Sequence, residues 1–66
     1  MDRLFIDANV LFSAAYRSGA GVARLWKLDA VELLSSDYAI EEARRNLSEP
    51  GQRGRLDDLI ASLELV

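Results

Sequence analysis

Two short apolar runs, separated by a longer stretch of helical character, constrain the fold of this chain more than any other feature. The first run is Leu4-Phe5-Ile6 and the second is Val31-Glu32-Leu33-Leu34. Runs this short favour strands over helices. The stretch between them is long enough for one or two helices, as a crossover between parallel strands requires. The pattern therefore predicts a βαβ unit in a domain of the α/β class.

Periodicity in the rest of the chain predicts about four helices. The predicted strands lie near residues 3–7 and 31–35, and the predicted helices near 10–17, 21–28, 37–48 and 55–63. Trp26 falls on an apolar helical stripe and is expected to pack against the sheet. Pro50 to Gly54 is predicted to form a turn or loop. Glu64-Leu65-Val66 looks like the beginning of another apolar element.

The chain contains neither cysteine nor histidine, which narrows its chemistry. Disulfides and zinc–thiolate sites are excluded, as are nucleophile pairs that need histidine within one chain. Carboxylate chemistry remains, either general acid–base catalysis or a hard cation held by oxygen ligands. The net charge of −3 argues against non-specific coating of nucleic acid. It leaves open an enzyme that acts on nucleic acid through a metal, because the cation inverts the local charge.

The length of 66 residues allows one domain at most. Two parallel strands do not form an independent sheet of normal size, and parallel sheets are normally covered on both faces. The chain is therefore expected to be the front half of a larger α/β domain, or to complete its core as a homo-oligomer. No apolar run approaches the roughly 20 residues that span a membrane, and no signal peptide is recognisable. A cytoplasmic location is expected.

Asp7 is the first candidate for a functional residue because it directly follows the first apolar run. Open α/β sheets place their sites at the carboxyl ends of the strands. The alternative is that Asp7 caps the following helix through its side-chain oxygen. Asn9 either orients a ligand or the Asp7 carboxylate, or is itself the N-cap of a helix that begins at Val10. The spacing alone does not decide between these roles.

The second acidic candidate is Glu42, in the helix predicted after the second strand. The first turns of that helix are expected at the same sheet edge as Asp7, so Glu42 faces either a cleft or plain solvent. Arg44 and Arg45 are candidate contacts to an RNA backbone, or else ordinary surface charge. Glu41 and Arg45 have the spacing of a helical ion pair.

Two segments resemble the first half of a PIN domain. They are LFIDANVLFSAAYRSGAGVARLWKL and VELLSSDYAIEEARRNL. Their anchors are the strand-Asp-x-Asn-Val opening and the glutamate-bearing helix after the second strand. The resemblance implies a PIN-like three-layer α/β/α fold, here incomplete, with residues 1–66 as one truncated N-terminal half. PIN domains are Mg²⁺- or Mn²⁺-dependent ribonucleases, and many are the toxin of a bacterial toxin–antitoxin pair.

The resemblance also assigns site residues. The first metal-binding aspartate of the family falls on Asp7, its asparagine or serine-like neighbour on Asn9, and its glutamate on Glu42. Glu41 is the fallback one position away. The family uses further aspartates from the second half of the domain, beyond residue 66, so this form is expected to be weak or inactive by itself.

Three functional hypotheses follow. The first is a Mg²⁺- or Mn²⁺-dependent endoribonuclease in which Asp7 and Glu42 bind metal and an activated water attacks the phosphate. The second is a non-catalytic PIN remnant that oligomerises or binds an antitoxin protein through the Leu56–Leu63 stripe and the Leu65-Val66 end. The third is a small regulatory domain unrelated to PIN domains.

Overall fold

Strands and helices alternate along the chain in the order β-α-α-β-α-α-β. The computed structural model describes residues 2–66. Its elements are β1 (Asp2–Phe5), α1 (Ala8–Tyr16), a 3₁₀ helix (Gly21–Lys27), β2 (Val31–Ser35), α2 (Asp37–Asn46), α3 (Pro50–Ile60) and β3 (Glu64–Leu65). None of the helices in this range is both long enough and apolar enough to cross a membrane.

The three strands form one parallel sheet in the order β1-β2-β3. Leu4 lies opposite Leu33, and Leu34 lies opposite Glu64. The α/β class, the parallel pairing and the bounds of β2 are therefore confirmed. The apolar element expected after the last helix forms the short strand β3.

The helices pack on one face of the sheet. Leu33 and Ser35 are buried on that face, and Leu33 belongs to the hydrophobic core. The strand order explains this arrangement, because the sheet grows in one direction and crossovers between parallel strands are right-handed. Successive crossovers in one direction lie on the same side.

The opposite face of the sheet is exposed and charged. The Arg3 guanidinium bonds Glu32 at 3.0 Å through Nε and Glu64 at 2.9 Å through Nη2, so it links all three strands. Residues 2–66 thus form two layers, and the expectation of a three-layer arrangement was wrong for this part of the chain. The two crossovers lie side by side on one face, which leaves the other without helices.

The core lies between the sheet and the helices. Its fully buried large apolar side chains are Ile6, Leu11, Leu47 and Leu56. Trp26 is partly buried against this core, and its indole Nε1 donates a hydrogen bond to the Leu59 carbonyl at 3.0 Å. The prediction that Trp26 is a packing residue is confirmed.

Strand β1 is more exposed than the sequence suggested. The first apolar run was expected to be a buried strand over residues 3–7, yet all four residues of β1 are exposed. The reason is that β1 lies at the edge of the sheet and pairs only with β2 among the described residues. Burial begins at Ile6, directly after the strand.

Helix α3 begins earlier than predicted. Residues 50–54 were expected to form a turn before a helix at 55–63, but they are the first half of α3. Proline is favoured in the first turn of a helix, where its missing N–H costs no hydrogen bond. The Gln52 side chain also accepts a hydrogen bond from the Glu49 N–H at 3.2 Å, which fastens the helix start.

The first half of α3 closes the carboxyl end of α1. Arg55 donates to the carbonyls of Ala15 (Nε, 3.0 Å) and Tyr16 (Nη2, 3.2 Å), and Gln52 Nε2 donates to Tyr16 at 3.1 Å. The last carbonyls of a helix have no partner within it, and the negative end of the helix dipole attracts a cation. These contacts therefore give the last carbonyls of α1 hydrogen-bond donors and place a cation at the negative end of its dipole.

The carboxyl end of α2 is closed in the same way. Arg53 Nε donates to the Leu47 carbonyl at 2.8 Å and its Nη2 to the Arg44 carbonyl at 3.4 Å. The Arg44 side chain in turn pairs with Asp57 on α3 at 2.9 Å. One helix therefore supplies the side chains that terminate the other two.

We expect Arg55→Gln to destabilise the fold by about 1–2 kcal/mol, because hydrogen bonds from a charged donor to two helix-terminal carbonyls are lost. Urea unfolding followed by circular dichroism measures the change. Arg45→Gln is the matched control, since Arg45 is exposed on α2, and it should change stability by less than about 0.5 kcal/mol. Equal effects of the two substitutions would contradict the assigned role of Arg55.

Candidate functional site

A cleft of about 700 Å³ lies at the carboxyl ends of β1 and β2, between α1 and α2. Its lining combines carboxylates, amides, a hydroxyl and aromatic rings. The lining residues are Phe5, Asp7, Ala8, Asn9, Phe12, Ser36, Tyr38, Ala39, Glu42 and Asn46. This is the edge at which open α/β sheets place their sites.

Asp7 reaches the cleft through the alternation of an extended chain. Phe5 and Asp7 project to one side and line the cleft, whereas Ile6 between them projects to the other side and is buried in the core. The Asp7 backbone is still extended, and its Oδ1 accepts a hydrogen bond from the Val10 N–H at 3.0 Å. Asp7 is therefore the N-cap of α1.

Asn9 is not the N-cap that it was considered to be. Helix α1 begins at Ala8, so Asn9 lies in its first turn, where its exposed side chain lines the cleft. Both residues are good capping types, and the position at which the extended chain ends decides between them. A capping role for Asp7 engages one carboxylate oxygen and leaves the other for a ligand.

A buried serine holds the chain immediately before Asp7. The Ser35 hydroxyl, fully buried at the end of β2, donates to the Ile6 carbonyl at 2.8 Å. The Ile6 N–H donates to the Leu34 carbonyl at 2.7 Å. Both polar groups of the Ile6 backbone are thus tied to β2, which fixes the point from which the Asp7 side chain projects.

One face of α2 forms the other wall of the cleft. Ser36 caps this helix, and its Oγ accepts from the Ala39 N–H at 3.1 Å. Tyr38, Glu42 and Asn46 follow at four-residue intervals, which places them on the same face of a helix, and all three line the cleft. The Asn46 amide donates to the Glu42 carbonyl at 3.0 Å.

The structure places Glu42, rather than Glu41, in the cleft with Asp7. Glu42 is partly buried, whereas Glu41 is exposed and does not line the cleft. Arg44 and Arg45 also lie outside its lining, and the Arg44 guanidinium pairs with Asp57. The two predicted metal ligands therefore share one cleft, and the two predicted RNA contacts do not border it.

The electrostatics of the cleft favour a cation. Asp7 and Glu42 are its two ionisable side chains of negative charge, and no lysine or arginine is among its lining residues. Within residues 2–66 no three or more acidic side chains gather into a group that suits a metal ion. Mg²⁺ typically binds through one or two carboxylates and several waters, so the two carboxylates suit a hard cation with an open coordination shell.

Sequence reasoning missed five polar or aromatic members of the cleft, which are Phe5, Phe12, Ser36, Tyr38 and Asn46. Tyr38 and Asn46 carried a usable signal, because each is four residues from Glu42 and a helix places such residues on one face. Phe5 was assigned to a buried strand. Its place in the cleft follows from its position at an exposed edge strand, which the sequence pattern did not reveal.

Comparison with protein-family models, curated proteins and solved structures finds no significant match to this chain. The resemblance to PIN domains rests on the two sequence segments and their motifs.

We expect Asp7→Ala to lower stability by about 1 kcal/mol because α1 loses its N-cap, while Asp7→Asn changes stability by only a few tenths, since an amide oxygen also caps. Urea unfolding of the two variants measures the difference. Asp7→Asn then serves as the variant that removes the charge from the cleft without removing the cap. If Asp7→Asn proves as damaging as Asp7→Ala, the negative charge itself stabilises the fold and the interpretation as a cap is wrong.

Proposed function

We propose that this chain is a PIN-type endoribonuclease whose cleft holds Mg²⁺ or Mn²⁺ through Asp7 and Glu42. The observation that supports this most directly is that both acidic residues line one cleft at the carboxyl edge of the sheet. They come from different βα units, yet both project toward the same space. The same two residues are the ones that the family resemblance marks as metal ligands.

Carboxylates of this kind suit a hard cation, and a divalent cation supplies charge neutralisation and a more acidic water for phosphodiester hydrolysis when it is bound. The chain's own residues prepare the site. The Val10 N–H holds one oxygen of Asp7, and Ser35 fixes the backbone before it. Asn9 and Asn46 contribute amide groups to the cleft lining, and we expect them to orient a bound substrate.

The absence of basic residues from the lining makes the cation essential to the proposal. Two carboxylates repel a phosphate, and no arginine or lysine side chain of the lining offsets that repulsion. We therefore expect RNA cleavage to depend strictly on added divalent metal. With only two carboxylates to hold the cation, we expect weak binding and low activity, and a toxin role would bring an antitoxin protein as partner.

A second candidate is a non-catalytic association module, and the outer edge of β1 favours it. Asp2 and Ile6 donate their N–H groups toward β2, so the N–H groups of Arg3 and Phe5 face the free edge. Leu4 is 39% exposed there. An edge of this kind pairs readily with a further strand, including that of a second copy. The Leu56–Leu63 stripe gives less support, since Leu56 is buried within the chain's own core.

For the metal site, we expect Mn²⁺ to bind the wild-type protein with a stoichiometry of about one, and Glu42→Gln to weaken that binding at least about tenfold through loss of a charged oxygen ligand. Isothermal titration calorimetry or Mn²⁺ electron paramagnetic resonance measures it. Glu41→Gln is the matched control, because it removes the same charge from the adjacent position outside the cleft. Equal loss in both variants would show that overall charge, and not the cleft, attracts the ion.

For the reaction, we expect slow cleavage of a labelled RNA in Mn²⁺ that EDTA abolishes and that Asp7→Asn reduces by at least about a hundredfold, since the variant keeps the helix cap and loses the charged ligand. Gel analysis of the products measures the rate. Cleavage that survives both chelation and Asp7→Asn would rule out the proposed enzyme.

For association, we expect Leu4→Lys to shift any dimer to monomer in sedimentation velocity, because a lysine on an edge strand opposes pairing. Leu28→Lys is the control, since Leu28 is also half exposed but lies in the loop before β2. A wild-type protein that stays monomeric at all concentrations would remove this second candidate.

A further inference from the structure

Two aromatic side chains at the cleft are exposed without a packing reason. Phe5 is 49% exposed and Tyr38 is 75% exposed, and both line the cleft. Neither belongs to the hydrophobic core nor to the partly buried residues packed against it. Exposed apolar surface at a concave site marks contact with a ligand more often than a folding need.

Each aromatic side chain is coupled to one of the two carboxylates by its own element. Phe5 precedes Asp7 by two residues in an extended segment, so both side chains project to the same side. Tyr38 precedes Glu42 by four residues in α2, so both lie on the same helix face. The cleft therefore has a ring beside each of its acids, contributed by two different elements.

We propose that Phe5 and Tyr38 form a stacking platform for unpaired bases of an RNA strand that binds in the cleft lined by Asp7 and Glu42. The identity of the ligand as RNA rests on the proposed function. Stacking of bases on aromatic rings provides affinity without phosphate–lysine or phosphate–arginine contacts, which suits a cleft lined by no basic residue. The amides of Asn9 and Asn46 in the same lining match the polar edges of bases.

The platform selects single strands. In a duplex the faces of the bases are already stacked on one another, so the rings of Phe5 and Tyr38 have no free base to contact. A lipid chain would not explain the two carboxylates in the same lining. A phosphorylated peptide would need basic residues, which the lining does not contain.

The test is a fluorescence titration with a short RNA that carries 2-aminopurine, whose emission falls when the base stacks on a ring. Binding is measured in Ca²⁺ and again in EDTA. We expect Tyr38→Ala and Phe5→Ala each to weaken binding by about 5- to 150-fold and to abolish the quenching, while Tyr38→Phe retains both. A duplex of the same sequence should bind at least about tenfold more weakly.

Tyr16→Ala is the matched control. Tyr16 is 53% exposed and its ring packs against that of Phe12 at 5.3 Å, but Tyr16 is outside the cleft lining. Its removal should leave RNA affinity unchanged. Circular dichroism of each variant verifies the fold, and the exposure of Tyr38 makes its replacement structurally mild.

The outcomes separate the platform from the metal site. If RNA binds and is cleaved in Mn²⁺ but Tyr38→Ala and Tyr16→Ala bind equally well, the platform is refuted and the proposed enzyme stands. If binding depends on Tyr38 in EDTA while Mn²⁺ neither binds nor supports cleavage, the platform stands and the proposed enzyme fails. Absence of any quenching by the wild-type protein overturns the platform.

Discussion

Side-chain hydrogen bonds from α3 to the carboxyl ends of α1 and α2 hold the helical layer together. Gln52, Arg53 and Arg55 donate to carbonyls that neither helix satisfies internally. Because α1 and α2 are fixed at their carboxyl ends by α3, their amino ends are held over the sheet, where each begins directly after a strand. The shape of the cleft therefore depends on contacts at the opposite end of the two helices.

Asp7 belongs to both the fold and the candidate site. One of its oxygens caps α1, and its position at the end of β1 places it in the cleft beside Glu42. The cap uses one of the two carboxylate oxygens, so capping is compatible with the proposed role of Asp7 as a metal ligand. The two adjacent serines also stabilise the backbone around the cleft. Ser35 fixes the backbone before Asp7, and Ser36 caps the helix that bears Glu42.

The sequence predicted the α/β class, the parallel crossover and the bounds of β2, because an apolar run between turn signals has few other solutions. It did not predict the exposure of β1 or the two-layer arrangement, since both depend on strand order, which no local pattern encodes. The start of α3 at Pro50 was missed because proline and glycine together indicate a turn unless capping partners override them. In the site, Asp7 and Glu42 were chosen by their place after strands and by family motifs. Phe5 required the edge position of β1 to be known.

The ion pairs of Arg3 with Glu32 and Glu64 affect which molecular surfaces can pack on the open face of the sheet. Most parallel sheets bury that side under apolar helices, whereas here three linked charges lie on it and stay in water. An apolar surface that packed on this face would desolvate these charges without providing new hydrogen-bond or ion-pair partners, which is unfavourable. The cost of removing water from these charges therefore disfavours an apolar partner on this face of the sheet. A polar neighbour whose own charges pair with these residues would avoid that cost.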